Sequence, residues 1–183
     1  MKIAFILFDG VTMLDFIGIY DPISRLHKFL PDLKISTCAY TEEIQDSFGL
    51  TMKVDVIQPD LSNFDVIIVP GGYGTRKLQK NNAFLTWIRT AEQVPLKVSI
   101  CTGSLILGAA VFLVGKKATT HFDEYESLER YCEEVMRQRI VEDEGVITAG
   151  AVSSSLDLGL YLCEKWAGKE ATKWIRKRMD YHG

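Results

Sequence analysis

Lys97-Val-Ser-Ile-Cys101-Thr-Gly-Ser-Leu-Ile-Leu-Gly108 runs from a short β-like segment straight into a helical pattern, with only Cys101 and Thr102 between them. Ser99 and Gly103 stand two residues either side of the cysteine. A strand-to-helix turn this tight has no room for bulky flanks, so small residues at those places are what a nucleophile elbow requires. At such a turn the thiol faces the first N–H groups of the helix and the positive end of its dipole. Both favour thiolate over thiol, and the thiolate is the nucleophile. A small buried packing cysteine is the other reading of the local pattern; the rest of the chain decides between them.

Working outward, residues 2–8 form an apolar run without alternation, as expected for a strand buried on both faces of a parallel sheet. Asp9-Gly10 reads as a turn, and Thr12 as the cap of a helix carrying Met13, Phe16, Ile17, Tyr20, Ile23 and Leu26 at helical spacing. Residues 34–40 read as a second strand and 50–54 as an edge strand or hairpin arm. Residues 65–69 form the strongest strand in the chain, ended abruptly by Pro70-Gly71-Gly72-Tyr73-Gly74. A helix over 84–92, the Cys101 strand and a helix over 103–113 follow. Short strands are expected over 118–121, 138–142 and 146–148, then two final helices over 155–167 and 169–180. Strands alternating with helices predict a flavodoxin-like three-layer α/β sandwich, a mostly parallel sheet with helices on both faces, as a single domain over residues 1–183. Ligands in such folds bind outside the carboxyl ends of the strands. Residues 9–15, 70–74 and 101–103 all follow strand ends, so an acid, a glycine loop and a thiol come to one rim.

Hydrophobic residues make up 47% of the 183 and charged residues 25%, an ordinary soluble balance. A net charge of −3 offers nothing to a phosphate backbone, so no nucleic-acid partner is expected. The basic 169–178 segment, interleaved with Trp174 and Ile175, reads as the solvated face of a last helix. No run reaches transmembrane length and no signal h-region precedes Asp9, which excludes a membrane partner and points to a reducing cytoplasm. The four cysteines at 38, 101, 132 and 163 have no metal spacing, and neither have His27, His121 and His182.

Pro70 to Gly74 lacks the spacing and the lysine of a nucleotide loop. Its adjacent glycines suit either an anion-binding turn or simply a tight turn. Asp15 sits amid Met13, Leu14, Phe16 and Ile17, where burial would raise its pKa towards general-acid use; an exposed carboxylate near a helix start is the plainer alternative. His121 after Thr119-Thr120 reads as a base for Cys101 or as a hydrogen-bonded histidine closing the sheet. Thr102 either bonds a substrate or caps the helix.

Four stretches together, Phe8 to Asp21, Val69 to Gly74, Ile100 to Leu105 with Ala118 to His121, and Ile147 to Ala151, resemble the ThiJ/PfpI superfamily of glutamine amidotransferase-like fold. Within it the likeness is to the isonitrile hydratase group and to sensor-like domains of AraC-type regulators. The resemblance implies Cys101 as nucleophile and Asp15 as the acid hydrogen-bonded to its sulfur. It also implies Gly72 with the Thr102 backbone as an anion nook, and Thr102 and Gly150 as pocket residues; Gly71 and His121 are taken as further candidate binding residues. It further implies no cofactor or metal, a homodimer, and a small electrophilic substrate. The superfamily's proteases carry a histidine after the nucleophile, where Thr102 stands here, and its amidotransferases a downstream His and Glu that Phe122 and Asp123 do not reproduce. The regulator reading requires a helix-turn-helix that these residues do not supply. Ile19 replaces a proline usual in the hydratase group, and Ala151 a common second glycine. The expected activity is cysteine-dependent hydration of an isonitrile. Glyoxalase- or deglycase-like carbonyl chemistry and a cysteine redox sensor are the alternatives.

Overall fold

The computed structural model describes residues 1–183. Its elements are β1 (Lys2–Leu7), α1 (Met13–Ser24), β2 (Lys34–Ala39), β3 (Glu43–Gln45), β4 (Thr51–Lys53), β5 (Val56–Ile57), β6 (Val66–Val69), α2 (Thr75–Leu78), α3 (Asn82–Arg89), β7 (Leu96–Ile100), α4 (Gly103–Ala109), β8 (Lys117–Ala118), α5 (Tyr125–Glu129), β9 (Glu134–Val135), β10 (Ile140–Asp143), β11 (Val146–Ala149) and α6 (Ser154–Arg178). Seven strands make one sheet in the order β10-β11-β7-β6-β1-β2-β5, every neighbouring pair parallel except β10 with β11. The run β2-β1-β6-β7-β11 is the flavodoxin-like strand order, whose direction of travel reverses between β1 and β6. The α/β sandwich expected from the alternating pattern is therefore the fold. Ile3 to Leu7 of β1 are wholly buried, which is why that strand is continuous apolar sequence. Helices α1 and α6 pack on each other, while α4 packs on β6 and β7 with α2 and α5 against it.

Several boundaries differ from the sequence reading. Residues 50–54 are a hairpin arm, with β4 antiparallel to β3. The strand expected over 118–121 stops at Ala118, because the Thr119 N–H turns away to donate to Thr148 Oγ1 at 2.8 Å. The helix after Cys101 ends at Ala109, where Val111 takes a left-handed φ of 69°. In α3 the Asn81 side chain caps the first turn by accepting the Phe84 N–H at 3.1 Å. Thr12 precedes α1 but its side chain makes no capping bond. The final helix is continuous except at Gly168, φ 81°, which divides it where two helices were expected.

Candidate active site

Cys101 begins where β7 ends, and its φ of 55° places a side-chain-bearing residue in the left-handed region. That conformation costs about 1–2 kcal/mol and persists only where surroundings over-determine it. Here they do. The Cys101 N–H is shared between the Ala149 and Gly150 carbonyls at 3.0 and 2.9 Å. Its own carbonyl accepts from Ser104 Oγ at 3.1 Å and Thr120 Oγ1 at 3.0 Å. Gly103 has to be glycine, since a Cβ there would lie 2.1 Å from the Val69 carbonyl oxygen. The elbow read from the spacing is thus held by β11, α4 and the segment after β8.

The first turn of α1 points Asp15 beneath the same elbow, fully buried. Its Oδ2 accepts the Gly71 N–H at 3.0 Å, and Oδ1 has no hydrogen-bond partner within the folded chain. A Cβ on Gly71 would sit 2.8 Å from Asp15 Oδ2, 2.8 Å from Cys101 Cβ and 2.7 Å from Thr102 N. Only glycine lets carboxyl, thiol and helix start converge there. Burial pushes the Asp15 carboxyl up to about 6, against the Gly71 N–H and the Cys101 thiol, which both favour its ionised form. Burial, then the Asp15 charge, pushes the Cys101 thiol up to about 12, against the Thr102 N–H. The thiolate bias expected from the helix end is therefore outweighed by desolvation and by the neighbouring carboxylate. Between these values the Cys101–Asp15 pair holds one proton.

The elbow opens into a cavity of about 270 Å³. Cys101, Thr102, Gly72 and His121, all expected at the site, line it; Asp15 and Gly71 lie behind the thiol and do not. Gly150 is not a wall either: its carbonyl fixes the elbow through the Cys101 N–H. The Thr102 hydroxyl makes no helix cap. It accepts the Gly72 N–H at 3.0 Å and lies 3.0 Å from the buried Thr75 hydroxyl. Of the expected anion nook, the Gly72 N–H is engaged by Thr102 Oγ1 and the neighbouring Gly71 N–H by Asp15, while the Thr102 N–H faces the Cys101 sulfur.

His121 Nδ1 accepts the Asp123 N–H at 3.2 Å, and its ring stacks on Phe122 with centroids 4.3 Å apart. In the neutral ring this leaves the proton on Nε2, so His121 offers the cavity a donor and not the base expected for Cys101. The Asp15 carboxyl is the ionisable side chain whose charge acts on the Cys101 thiol. The sequence reading missed Tyr73, Arg76 and Asp123 as lining residues. Arg76 lies over the Tyr73 ring at 4.9 Å and pairs with Glu124 at 2.7 Å. It stands on α2, four residues long and too short to show periodicity; its one signal was a cation two residues beyond the glycine loop. No group of three or more His, Cys, Asp or Glu gathers to hold a metal, and no helix is long and apolar enough to cross a membrane.

A parallel α/β sheet with a strained cysteine elbow at its carboxyl edge, set against a buried carboxyl group, defines a class of cysteine-centred proteins. The chain belongs to the DJ-1/PfpI family, whose model matches residues 1–165. It is 33% identical over 183 residues to the isonitrile hydratase of Pseudomonas putida, covering 99% of this chain and 78% of that protein. It is 26% identical over 142 residues to the glutathione-independent glyoxalase DJR-1.2 of Caenorhabditis elegans, covering 76% of each. The crystal structure of a ThiJ/PfpI family protein from Pseudomonas syringae superposes with a TM-score of 0.92 at 26% identity, covering the whole of this chain and 75% of that one.

Proposed function

We propose that this protein is a cofactor-independent, cysteine-dependent hydratase that converts an isonitrile and water to an N-substituted formamide. The observation that carries the reading is the pairing of Cys101 with Asp15 while the glycine-loop N–H groups are already engaged. Such a site supplies a nucleophile and one mobile proton but, with both glycine N–H groups engaged, leaves only the Thr102 N–H beside the sulfur for an alkoxide. Thiol addition to an isonitrile asks for that combination: sulfur bonds the terminal carbon of R–N≡C and the pair's proton goes to the same carbon. The product is the thioimidate Cys101–S–CH=N–R, formed without an oxyanion. The Asp15 carboxylate then takes a proton from water as the water oxygen attacks that carbon, and passes this proton to the nitrogen. The C–S bond then breaks as the carbonyl forms, sulfur recovers its proton, and R–NH–CHO leaves. The identity to the Pseudomonas hydratase supports the same reading.

Carbonyl chemistry on the same thiol would place an alkoxide where Gly71 and Gly72 have no N–H left to give, so we rank it second. We read the 183 residues as one catalytic domain that works as a homodimer in a reducing, cytoplasmic setting, the last supported by four unpaired cysteines. The test is hydration of an aryl isonitrile by purified protein, followed as formamide. Cys101→Ala abolishes turnover, Asp15→Ala lowers it strongly and Cys132→Ser leaves it unchanged. Turnover retained in Cys101→Ala contradicts the mechanism.

A further inference from the structure

A second cavity, of about 550 Å³, opens on the same rim of the sheet and shares Tyr73 with the first. Gly72 borders one and Gly74 the other, so the Gly72-Tyr73-Gly74 turn is the ridge between them, capped by a Tyr73 ring that is 68% exposed. Three aromatic rings form its walls: Phe8 at the end of β1, Tyr40 at the end of β2 and Phe84 on α3, with Leu78 beside them. Phe8 and Phe84 meet edge to face at 6.4 Å, and Tyr40 and Phe84 lie 6.4 Å apart.

The polar groups around this cavity are largely committed elsewhere. Asp9 Oδ1 accepts the Gln45 N–H, Asn81 Oδ1 caps α3, and the Thr41 hydroxyl donates to the Glu43 carbonyl. Lys77 at the rim forms no ion pair but is a flexible surface chain. A space walled by three aromatic rings and Leu78, with its polar side chains at an exposed rim, suits a ring-bearing ligand. Its position relative to the thiol says which ligand. The first cavity alone falls just below the roughly 300–1,000 Å³ of ordinary small-molecule sites, and the second lies within that range.

We infer that the two cavities are one two-lobed binding cleft, the first lobe holding the reacting carbon at Cys101 and the second, between Phe8, Tyr40 and Phe84, holding an aromatic ring on the substrate's tail. This rests on the hydratase reading for the reacting group but not for the lobe itself. The substrate class is then isonitriles whose nitrogen carries a ring on a short flexible chain that crosses Tyr73. Small alkyl isonitriles fill the first lobe only.

The experiment compares propan-2-yl isonitrile with 3-phenylpropyl isonitrile in the wild type and in Tyr40→Ala, a change at a 39% exposed wall residue. The wild type favours the ring-bearing substrate in kcat/KM by about ten- to a hundredfold, the return on burying a phenyl ring, and Tyr40→Ala brings the ratio close to one. A direct readout separates the lobe from the chemistry. Trp87 lies 7% exposed behind this wall, its ring 6.1 Å from Tyr40 and 5.6 Å from Phe84. N-(3-Phenylpropyl)formamide therefore shifts tryptophan emission saturably where N-(propan-2-yl)formamide does not, and Trp87→Phe removes the shift. That shift without turnover of any isonitrile supports the lobe and defeats the hydratase reading. No Trp87 response to the ring-bearing formamide overturns the two-lobed cleft whether or not hydration occurs, and so does an equal kcat/KM for the two isonitriles when both turn over.

Discussion

Asp15 offers one oxygen to the Gly71 N–H and leaves the other unpartnered beside a thiol, with no solvent access. Desolvation holds its carboxyl up to about 6, so at neutral pH the Cys101–Asp15 pair retains a single proton ready for transfer to carbon. The rate should follow that protonation state. We expect kcat/KM for isonitrile hydration to rise as pH increases through about 6 and then to stay level to pH 10, because the pair's last proton is held to about 12. Asp15→Asn erases the acid limb and lowers kcat/KM by about 10²- to 10⁴-fold, the usual worth of a positioned acid–base group. A profile that falls from pH 6 to 9 contradicts the assignment. Asp15 was legible as a candidate from its apolar neighbours and from the family resemblance, but its burial was not, since Leu14 and Ile17 beside it are exposed. The role of His121 was not, since it depends on a contact with the Asp123 backbone that no spacing reveals.

The elbow stores strain at Cys101 and spreads its support over three other segments. Removing the sulfur while keeping the Cβ leaves the left-handed backbone strained; removing the Cβ as well relieves it. Cys101→Gly should accordingly be more stable than Cys101→Ala by about 1 kcal/mol in urea denaturation, with both inactive. Equal stabilities would mean that the φ of 55° costs nothing here. The helix α4 depends on close approach to β6, so Gly103→Ala, with a Cβ 2.1 Å from Val69 oxygen, should lose about 1–3 kcal/mol and displace the thiol. Elements of this length were readable: β1, β6, β7 and the divided α6 follow from apolar runs or helical spacing. The strands β3 and β9, partners of the β4 and β8 that were expected, and helices α2 and α5 span two to five residues, too few for a period to emerge. Their places are set by tertiary bonds such as Gly10 N–H to Gln45 O at 2.7 Å, and it is α2 that brings Arg76 to the cleft.

On the scale of the whole molecule, the buried acid couples catalysis to stability. Asp15 binds its proton more tightly folded than unfolded, so stability falls as pH rises from about 4 to about 6 and is level above that. The loss from this one group is about 2–3 kcal/mol. Thermal melts of wild type and Asp15→Asn should differ in slope over that interval, the variant lacking this decline; parallel curves would show a carboxyl that folding does not perturb. The mostly parallel sheet covered on both faces was foreseeable from alternating strands and helices; its strand order is not set by that alternation. The two-lobed rim was not, because Phe8, Tyr40, Tyr73 and Phe84 come from four separate segments that only the β1/β6 reversal brings together.

The covalent step itself is open to direct observation. Intact-protein mass spectrometry of Asp15→Asn, mixed with an aryl isonitrile and quenched during turnover, should show one added substrate mass, and peptide mapping should place it on Cys101. Formamide accumulating while Cys101 stays unmodified, and turning over equally well in Cys101→Ala, would contradict the account.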